Sequence, residues 1–113
     1  MRDRVKSRIF LDISWRDGGR QEYVFDPEQG IKIGYDPDRN NIALLDKAVS
    51  DEHCILFLYG RDIYVQDLHS TNGTWVRHGL RKKRVVQIMK IQDGDYLHVG
   101  SEKLRIHRLW YMP

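Results

Sequence analysis

The chain has 113 residues, of which 41% are hydrophobic and 31% are charged, and its formal net charge is +3. That length suffices for one domain with a single core, and the composition excludes a disordered or membrane-embedded chain. No apolar run approaches the roughly 20 residues of a membrane-spanning helix, and the charged start lacks the apolar segment of a signal peptide. The single cysteine, Cys54, excludes an internal disulfide, so we expect a small buried side chain in a cytoplasmic protein.

Short apolar segments separated by turn residues follow one another along the chain, and several of them alternate apolar with polar residues. The expected strands cover residues 8–15, 21–25, 31–34, 41–44, 54–59, 63–67, 75–76, 85–88, 96–99 and 104–109. No window has the 3.6-residue apolar period of a helix, and strands about 8–12 residues apart predict an all-β sandwich or barrel. We expect residues 1–7 to be a tail or linker stub, residues 8–110 a single domain, and residues 111–113 a C-terminal tail.

Two polar stretches stand out from the strand pattern, Ser50-Asp51-Glu52-His53 and Ser70-Thr71-Asn72-Gly73. Asn-Gly is the dipeptide that most readily forms a tight turn with positive φ angles. With two hydroxyl side chains before it, this turn presents N–H groups, hydroxyls and an amide together, which suits it to holding an anion. Taken alone, the dipeptide indicates only a hairpin turn, and the neighbouring motifs are what favour a site.

The order of the motifs resembles that of forkhead-associated (FHA) domains. The motifs, over residues 31–106, are Gly34, Ser50-x-x-His53, Ser70-Thr71-Asn72-Gly73-Thr74, Asp93-Gly94-Asp95 and Gly100. The resemblance implies a SMAD/FHA-like β-sandwich of about eleven strands, with both chain ends at one pole and peptide-binding loops at the other. It also implies a non-catalytic module that recognises phosphothreonine in a protein or peptide partner, usually as part of a longer chain.

The matching positions carry over the family's site residues. The expected phosphopeptide-binding residues are Ser50, Thr71, Asn72, Tyr35, Arg39 and Ser70, and the supporting residues are Gly34, His53 and Gly73. In the family's pattern, Ser50 and Thr71 contact the phosphate and Asn72 holds the peptide backbone. His53 is a buried brace whose ring bonds loop backbone. Such a set of donors suits phosphothreonine, which brings nearly two negative charges and three acceptor oxygens.

The chain departs from the family at Tyr35, where the family normally places an arginine as the main phosphate partner. A tyrosine donates one neutral hydrogen bond where a guanidinium offers a charged, forked pair. We therefore expect phosphate affinity to be weaker by roughly one to two orders of magnitude. Asp51 and Glu52, at positions often basic in the family, also repel a phosphate. Arg39 and Lys47 are candidate replacements for the missing charge, although a solvated surface cation is the simpler interpretation of each.

Other functions stay open on the sequence. A degenerate FHA fold would bind a protein partner, or a second copy of itself, without phosphate. The basic run Arg81–Arg84 would suit nucleic acid, but no aromatic residues are interleaved with it, so a solvated strand end is the simpler interpretation. Ser50-x-x-His53 lacks an acidic orienter or oxyanion-hole motif, and the five histidines are scattered. We therefore expect no enzyme, metal site, cofactor or small-molecule substrate, and no membrane contact.

Overall fold

The strands follow the alternation of apolar side chains in the sequence. In the computed structural model, which describes residues 7–113, strand β1 (Arg8–Ser14) buries Ile9, Leu11 and Ile13 and leaves the residues between them half-buried. Such a two-residue period fits a pleated strand with one face on the core. The other strands are β2 (Arg20–Phe25), β3 (Ile31–Gly34), β4 (Ile42–Ala43), β5 (Cys54–Tyr59), β6 (Asp62–Asp67), β7 (Thr74–His78), β8 (Arg81–Arg84), β9 (Ile88–Ile91), β10 (Tyr96–Val99) and β11 (Glu102–Met112).

The strands form two sheets packed face to face. The six-stranded sheet has the order β2-β1-β11-β10-β7-β8, and the five-stranded sheet has the order β4-β3-β5-β6-β9. Their inner faces meet in one apolar core, to which Ile33 and Leu56 contribute from one sheet and Leu97 and Leu104 from the other. The predicted all-β sandwich of about eleven strands is thereby confirmed, and the structure has eleven.

The strands expected at residues 8–15 and 21–25 are present as β1 and β2, which pair with each other as an antiparallel hairpin. The basic run differs from the expectation, because Arg81–Arg84 is itself a strand and residues 85–87 are not. The chain crosses at that point from the six-stranded sheet to β9 in the other sheet. Val85 is buried in the core, and Val86 is 86% exposed. Val85 therefore packs the crossing segment against the core, and neither valine extends strand β8.

The chain ends lie close together as far as the structure describes them. The expected tail at residues 1–7 falls outside the described residues except for Ser7. Strand β11 runs to Met112, two residues past the boundary expected at residue 110, because it continues its pairing with Arg8 and Ile9 of β1. Within residues 7–113 no helix is long and apolar enough to cross a membrane.

Candidate functional site

Three loops meet at the pole opposite those chain ends. They are segment 35–41 after β3, segment 44–53 before β5, and segment 68–73 between β6 and β7. The first two are joined through the N–H groups of Tyr35 and Asp36, which donate to the carbonyls of Ser50 and Asp51 over 2.9 and 3.3 Å. These backbone bonds fix the position of the Ser50 loop relative to the end of β3.

The second and third loops meet at Ser50 and Thr71. The Thr71 N–H donates to Ser50 Oγ over 3.1 Å. Since that bond uses an oxygen lone pair, the Ser50 hydroxyl keeps its hydrogen to donate to a further acceptor. Thr71 is exposed and Ser50 half-buried, so the donors open to solvent at the same place. The structure therefore brings together the two side chains that the sequence expectation assigned to a phosphate.

Asn72 lies beside this pair on the exposed tip of the third loop. Its Nδ2 donates to the carbonyl of Ala48 over 3.0 Å, which holds the amide against the second loop. The side-chain oxygen and the second N–H are left to pair with an extended peptide backbone, which needs one acceptor and one donor. Gly73 follows with a φ of 84°, as Asn-Gly predicts for its glycine, whereas Asn72 has no positive φ.

His53 lies beneath the two loops and is fully buried. Its Nδ1 accepts a hydrogen bond from the Ser50 N–H over 3.1 Å, and its Nε2 is 2.9 Å from the Gly73 carbonyl. A carbonyl only accepts, so the ring proton is on Nε2, and the ring joins the Ser50 loop to the Asn72-Gly73 turn. This geometry is that of a brace, and it leaves neither ring nitrogen for catalysis or metal ligation.

Asp67 holds the third loop from inside, and nothing in its immediate sequence pointed to it. Its carboxylate accepts from the Ser70 N–H and hydroxyl and from the Thr74 hydroxyl. Burial raises the pKa of Asp67, but the bonds from Ser70 and Thr74 outweigh that effect and lower it. The Ser70 hydroxyl also accepts from the Gly73 N–H over 2.9 Å. Ser70, expected among the binding residues, is thus placed within the loop's own hydrogen bonds.

Asn40 is a second residue that sequence reasoning missed. Its Nδ2 donates to the carbonyls of Asp36 and Asp51 over 2.7 and 2.6 Å, so it joins the first loop to the second. Gly34 makes room for this contact, because a methyl group on its Cα would lie 2.3 Å from the Asp51 carbonyl oxygen and 2.6 Å from Asn40 Oδ1. Position 34 therefore requires glycine because the packed loops leave no space for a side chain there.

The charges around the loops are partly paired with one another. Arg39, expected to bind the ligand, lies 3.3 Å from the Asp36 carboxylate and its side chain is 60% exposed. A hydrogen bond from Lys32 lowers the pKa of Glu52, so the negative charge of that side chain is balanced locally. Tyr35 is 40% exposed. The structure thus places Tyr35 and Arg39 on the first loop, and within residues 7–113 neither side chain forms a hydrogen bond with Ser50.

Outside the three loops, the described residues form fewer features that would suit a bound ligand. A hollow of about 450 Å³ lies at the other pole, lined by residues that include Arg61, His78 and Trp110. Among residues 7–113, no three or more His, Cys, Asp or Glu side chains are grouped to hold a metal ion. Cys54 is buried, and burial raises the pKa of its thiol. Among the described residues, the polar side chains expected for the site therefore lie together on the three loops.

Known proteins share both the sequence pattern and the fold. The family model of the FHA domain matches residues 31–100, a span that contains all three loops. The FHA domain-containing protein FhaB of Mycobacterium tuberculosis is 30% identical over 79 residues, which make up 70% of this chain and 48% of that protein. The chain thus spans about half the length of the curated relatives it matches.

Solved structures resemble the whole sandwich. The FHA domain of the CT664 protein from Chlamydia trachomatis has a TM-score of 0.72 at 19% identity, covering 88% of this chain and 95% of that one. A structure from work on phosphothreonine-dependent FHA domain interactions has a TM-score of 0.68 at 27% identity, covering 92% of this chain and 98% of that one. The likeness therefore extends over most of the chain.

Proposed function

This chain belongs to the forkhead-associated (FHA) domain family, and we propose that it is a non-catalytic module that binds phosphothreonine-containing segments of a protein partner. The proposed site is the pole formed by loops 35–41, 44–53 and 68–73. The observation that carries the proposal is the bond between Thr71 N–H and Ser50 Oγ, which places donors from two loops at one exposed point. The likeness to a structure concerned with phosphothreonine-dependent FHA interactions supports this choice of ligand.

Ser50 and Thr71 contact the phosphate in this proposal, and Asn72 holds the peptide backbone beside it. The free hydrogen of the Ser50 hydroxyl donates to one phosphate oxygen, and the exposed Thr71 hydroxyl donates to another. His53 and Asp67 keep the loops in place before the ligand arrives. Since the loops are already ordered, little conformational entropy is lost on binding.

The affinity for phosphate is lower in this proposal than an arginine at position 35 would give. Tyr35 offers a neutral donor, and hydrogen bonds to charged groups are worth roughly 1.5–3 kcal/mol against about 1 for neutral ones. The positive charge of Arg39 is partly offset by the Asp36 carboxylate, which lies 3.3 Å from the Arg39 Nε. The pairing of Glu52 with Lys32 reduces the repulsion that the sequence alone suggested.

A second candidate is a phosphate-independent module that binds a protein through the same loops. The observation that favours it is that Arg39 is already paired with Asp36 while Asp51 stays exposed. The first loop contains Asp36 and Asp38 beside Arg39, so it offers no net positive charge to a phosphate. The two candidates differ in a single measurable property, the dependence of binding on the phosphate.

Calorimetric titration with a library of phosphothreonine peptides and their unphosphorylated twins separates the two candidates. We expect the phosphorylated forms to bind more tightly, and Ser50→Ala to weaken that binding about tenfold or more, because it removes a hydrogen bond to a charged group. Ser7→Ala, at the other pole, is the matched control and is expected to bind as the unchanged chain does. Equal binding of phosphorylated and unphosphorylated peptides would exclude the first candidate in favour of the second.

A further inference from the structure

One half of the six-stranded sheet carries a concentrated group of cations on its outer face. The strand registers place the residues of β8, β7, β10 and β11 directly opposite one another in two rows, and directly opposite residues share a face. We call this surface the basic face; its rows are Arg84, Trp75, His98 and Lys103, and Lys82, Arg77, Tyr96 and Arg105. Five of these eight side chains are cationic.

The cations of the basic face lie over two aromatic rings. The Tyr96 ring has Arg77, Lys103 and Arg105 within 4.6 to 5.7 Å of its centre. The Trp75 ring has Lys82 at 5.3 Å and Arg84 at 6.0 Å. These rings come from the neighbouring strands β7 and β10, so the aromatic residues that the run Arg81–Arg84 lacks in sequence are supplied by the fold. A cation over a ring face is held there electrostatically.

No acidic side chain neutralises this surface within residues 7–113. The described salt bridges all involve other cations, and the acidic Asp12 of the same sheet pairs with Arg20 in its other half. Arg77 and Lys82 stand directly opposite each other, an arrangement of like charges that costs stability. A face built in this way has a strong positive potential and is complementary to an anionic partner.

The basic face begins where the proposed peptide site ends. A methyl group on Gly73 would lie 3.0 Å from Nε and 3.2 Å from Cζ of Arg84, so this guanidinium lies against the Asn72-Gly73 turn. From Arg84 the first row crosses three strand spacings to Lys103, a distance of roughly 15 Å at about 4.8 Å a strand. An extended peptide spans that distance in about four or five residues at roughly 3.3 Å each.

We propose that the basic face binds an acidic segment of the same partner chain, located within about eight residues of the phosphothreonine. The inference rests on the proposed function. Arg84 lies against the Asn72-Gly73 turn of the proposed peptide site, so one partner chain reaches both surfaces. Binding at two linked places raises affinity by effective concentration. Tyr35 supplies no positive charge at the phosphate. In this proposal the basic face supplies positive charge instead, to the partner segment that flanks the phosphothreonine.

An acidic peptide fits this face better than a single-stranded nucleic acid does. Nucleic-acid readers of that kind stack bases on open aromatic rings. Here Trp75 and Tyr96 are half-buried and covered by cations, so the rings position charges and are not free to stack. Carboxylates along an extended chain match cations that project from successive strands.

The test is fluorescence anisotropy of the whole chain with three phosphothreonine peptides, having a neutral flank, a glutamate-rich N-terminal flank, or a glutamate-rich C-terminal flank. We expect one acidic flank to tighten binding about tenfold at low salt, through several surface ion pairs of modest strength. The gain should shrink towards about 500 mM salt, where screening shortens the reach of charges. Lys82→Ala with Arg105→Ala should abolish most of the gain and leave the neutral-flank peptide unaffected.

The matched control is Arg61→Ala with Lys90→Ala, which removes the same two residue types at the other pole and should retain the gain. If the neutral-flank peptide binds but neither acidic flank tightens binding, or if both double variants lose the gain equally, the inference is wrong while the proposed function stands. Preferential binding of a thymidine oligonucleotide that only Lys82→Ala with Arg105→Ala abolishes would assign the face to nucleic acid and also overturn it. Failure of every phosphopeptide to bind would overturn the proposed function and this inference with it.

Discussion

At the scale of one residue, His98 lies on the basic face and has a pKa that its surroundings lower. Burial lowers the pKa of His98 to about 4, and the nearby cations Lys82, Lys103 and Arg77 add to the effect. The folded protein therefore keeps this imidazole neutral at a pH where an exposed histidine is already protonated. Its Nε2 has no hydrogen-bond partner within the described residues, so nothing in the fold favours the protonated form.

This lowered pKa makes stability depend on pH. Between about pH 6.5, the value for an unfolded histidine, and about pH 4, the unfolded chain binds the proton that folded His98 rejects. Stability contributed by neutral His98 is therefore present above that window and is lost as the pH falls through it. We expect His98→Gln to flatten the fall in urea-unfolding free energy between about pH 7 and pH 5 relative to the unchanged chain.

His69→Gln, in an exposed loop, is the control for that measurement, and only the slopes against pH are compared. A nuclear magnetic resonance titration of the His98 ring provides the direct value. A ring titrating near 6.5, or a slope that His98→Gln leaves unchanged, would show that burial and the neighbouring cations do not lower the pKa of His98 as described.

The residues of the site differ in how far the sequence could predict them. Thr71 and Asn72 were accessible because a tight turn is encoded within four consecutive residues, and Asn-Gly permits few conformations. Asn40 and Asp67 were not, since each acts by bonding segments that only the folded chain brings together. The sequence also could not show that the Ser70 hydroxyl is taken up by Asp67.

At the scale of elements, the end of β3 determines how the first two loops fit together. Gly34 has no positive φ, so its importance lies in the contact with the Asp51 carbonyl and Asn40. Any Cβ at this position would push the Ser50 loop away from the first loop. The packing of the proposed site therefore depends on Gly34, which is not among the expected phosphopeptide-binding residues.

Gly34→Ala is expected to destabilise the fold by about 1–3 kcal/mol, the usual cost of overpacking a close contact, and to weaken phosphopeptide binding. Urea unfolding and calorimetry measure the two effects. Gly19→Ala is the control, because its Cβ would meet the end of the Asp17 side chain at 3.1 Å and the Trp15 ring only at 4.0 Å, with no backbone atom in the way. A Gly34→Ala chain as stable and as tightly binding as the unchanged one would contradict the close packing described for these loops.

Strand β8 shows what the sequence alone could not reveal about the basic run. Read along the chain, Arg81–Arg84 contains no aromatic residue. Read across the sheet, Arg84 stands opposite Trp75 and Lys82 opposite Arg77. Cross-strand neighbours are set by register, which the local sequence of an edge strand does not specify. A sequence reading could identify the charge but not the surface to which it belongs.

At the scale of the whole molecule, the two packed sheets form the supporting core, and the proposed recognition surface lies outside that core. The all-β sandwich could be predicted because alternating strands and turn residues recur through the chain, and its inner faces form the expected core. The three loops at one pole and the basic face beside them make one side of the molecule suited to anions. The chain ends described by the structure lie at the other pole, so a bound partner would approach away from them.

The most direct test of the account is a pair of nuclear magnetic resonance titrations that follow the backbone amides of the whole chain. One uses a phosphothreonine peptide and the other its unphosphorylated twin. If the three loops bind phosphothreonine, the phosphorylated peptide alone shifts the amides of Ser50, Thr71 and Asn72. The amides around Arg61 and Trp110 at the other pole stay unchanged. Equal shifts with both peptides, or shifts confined to the other pole, would contradict it.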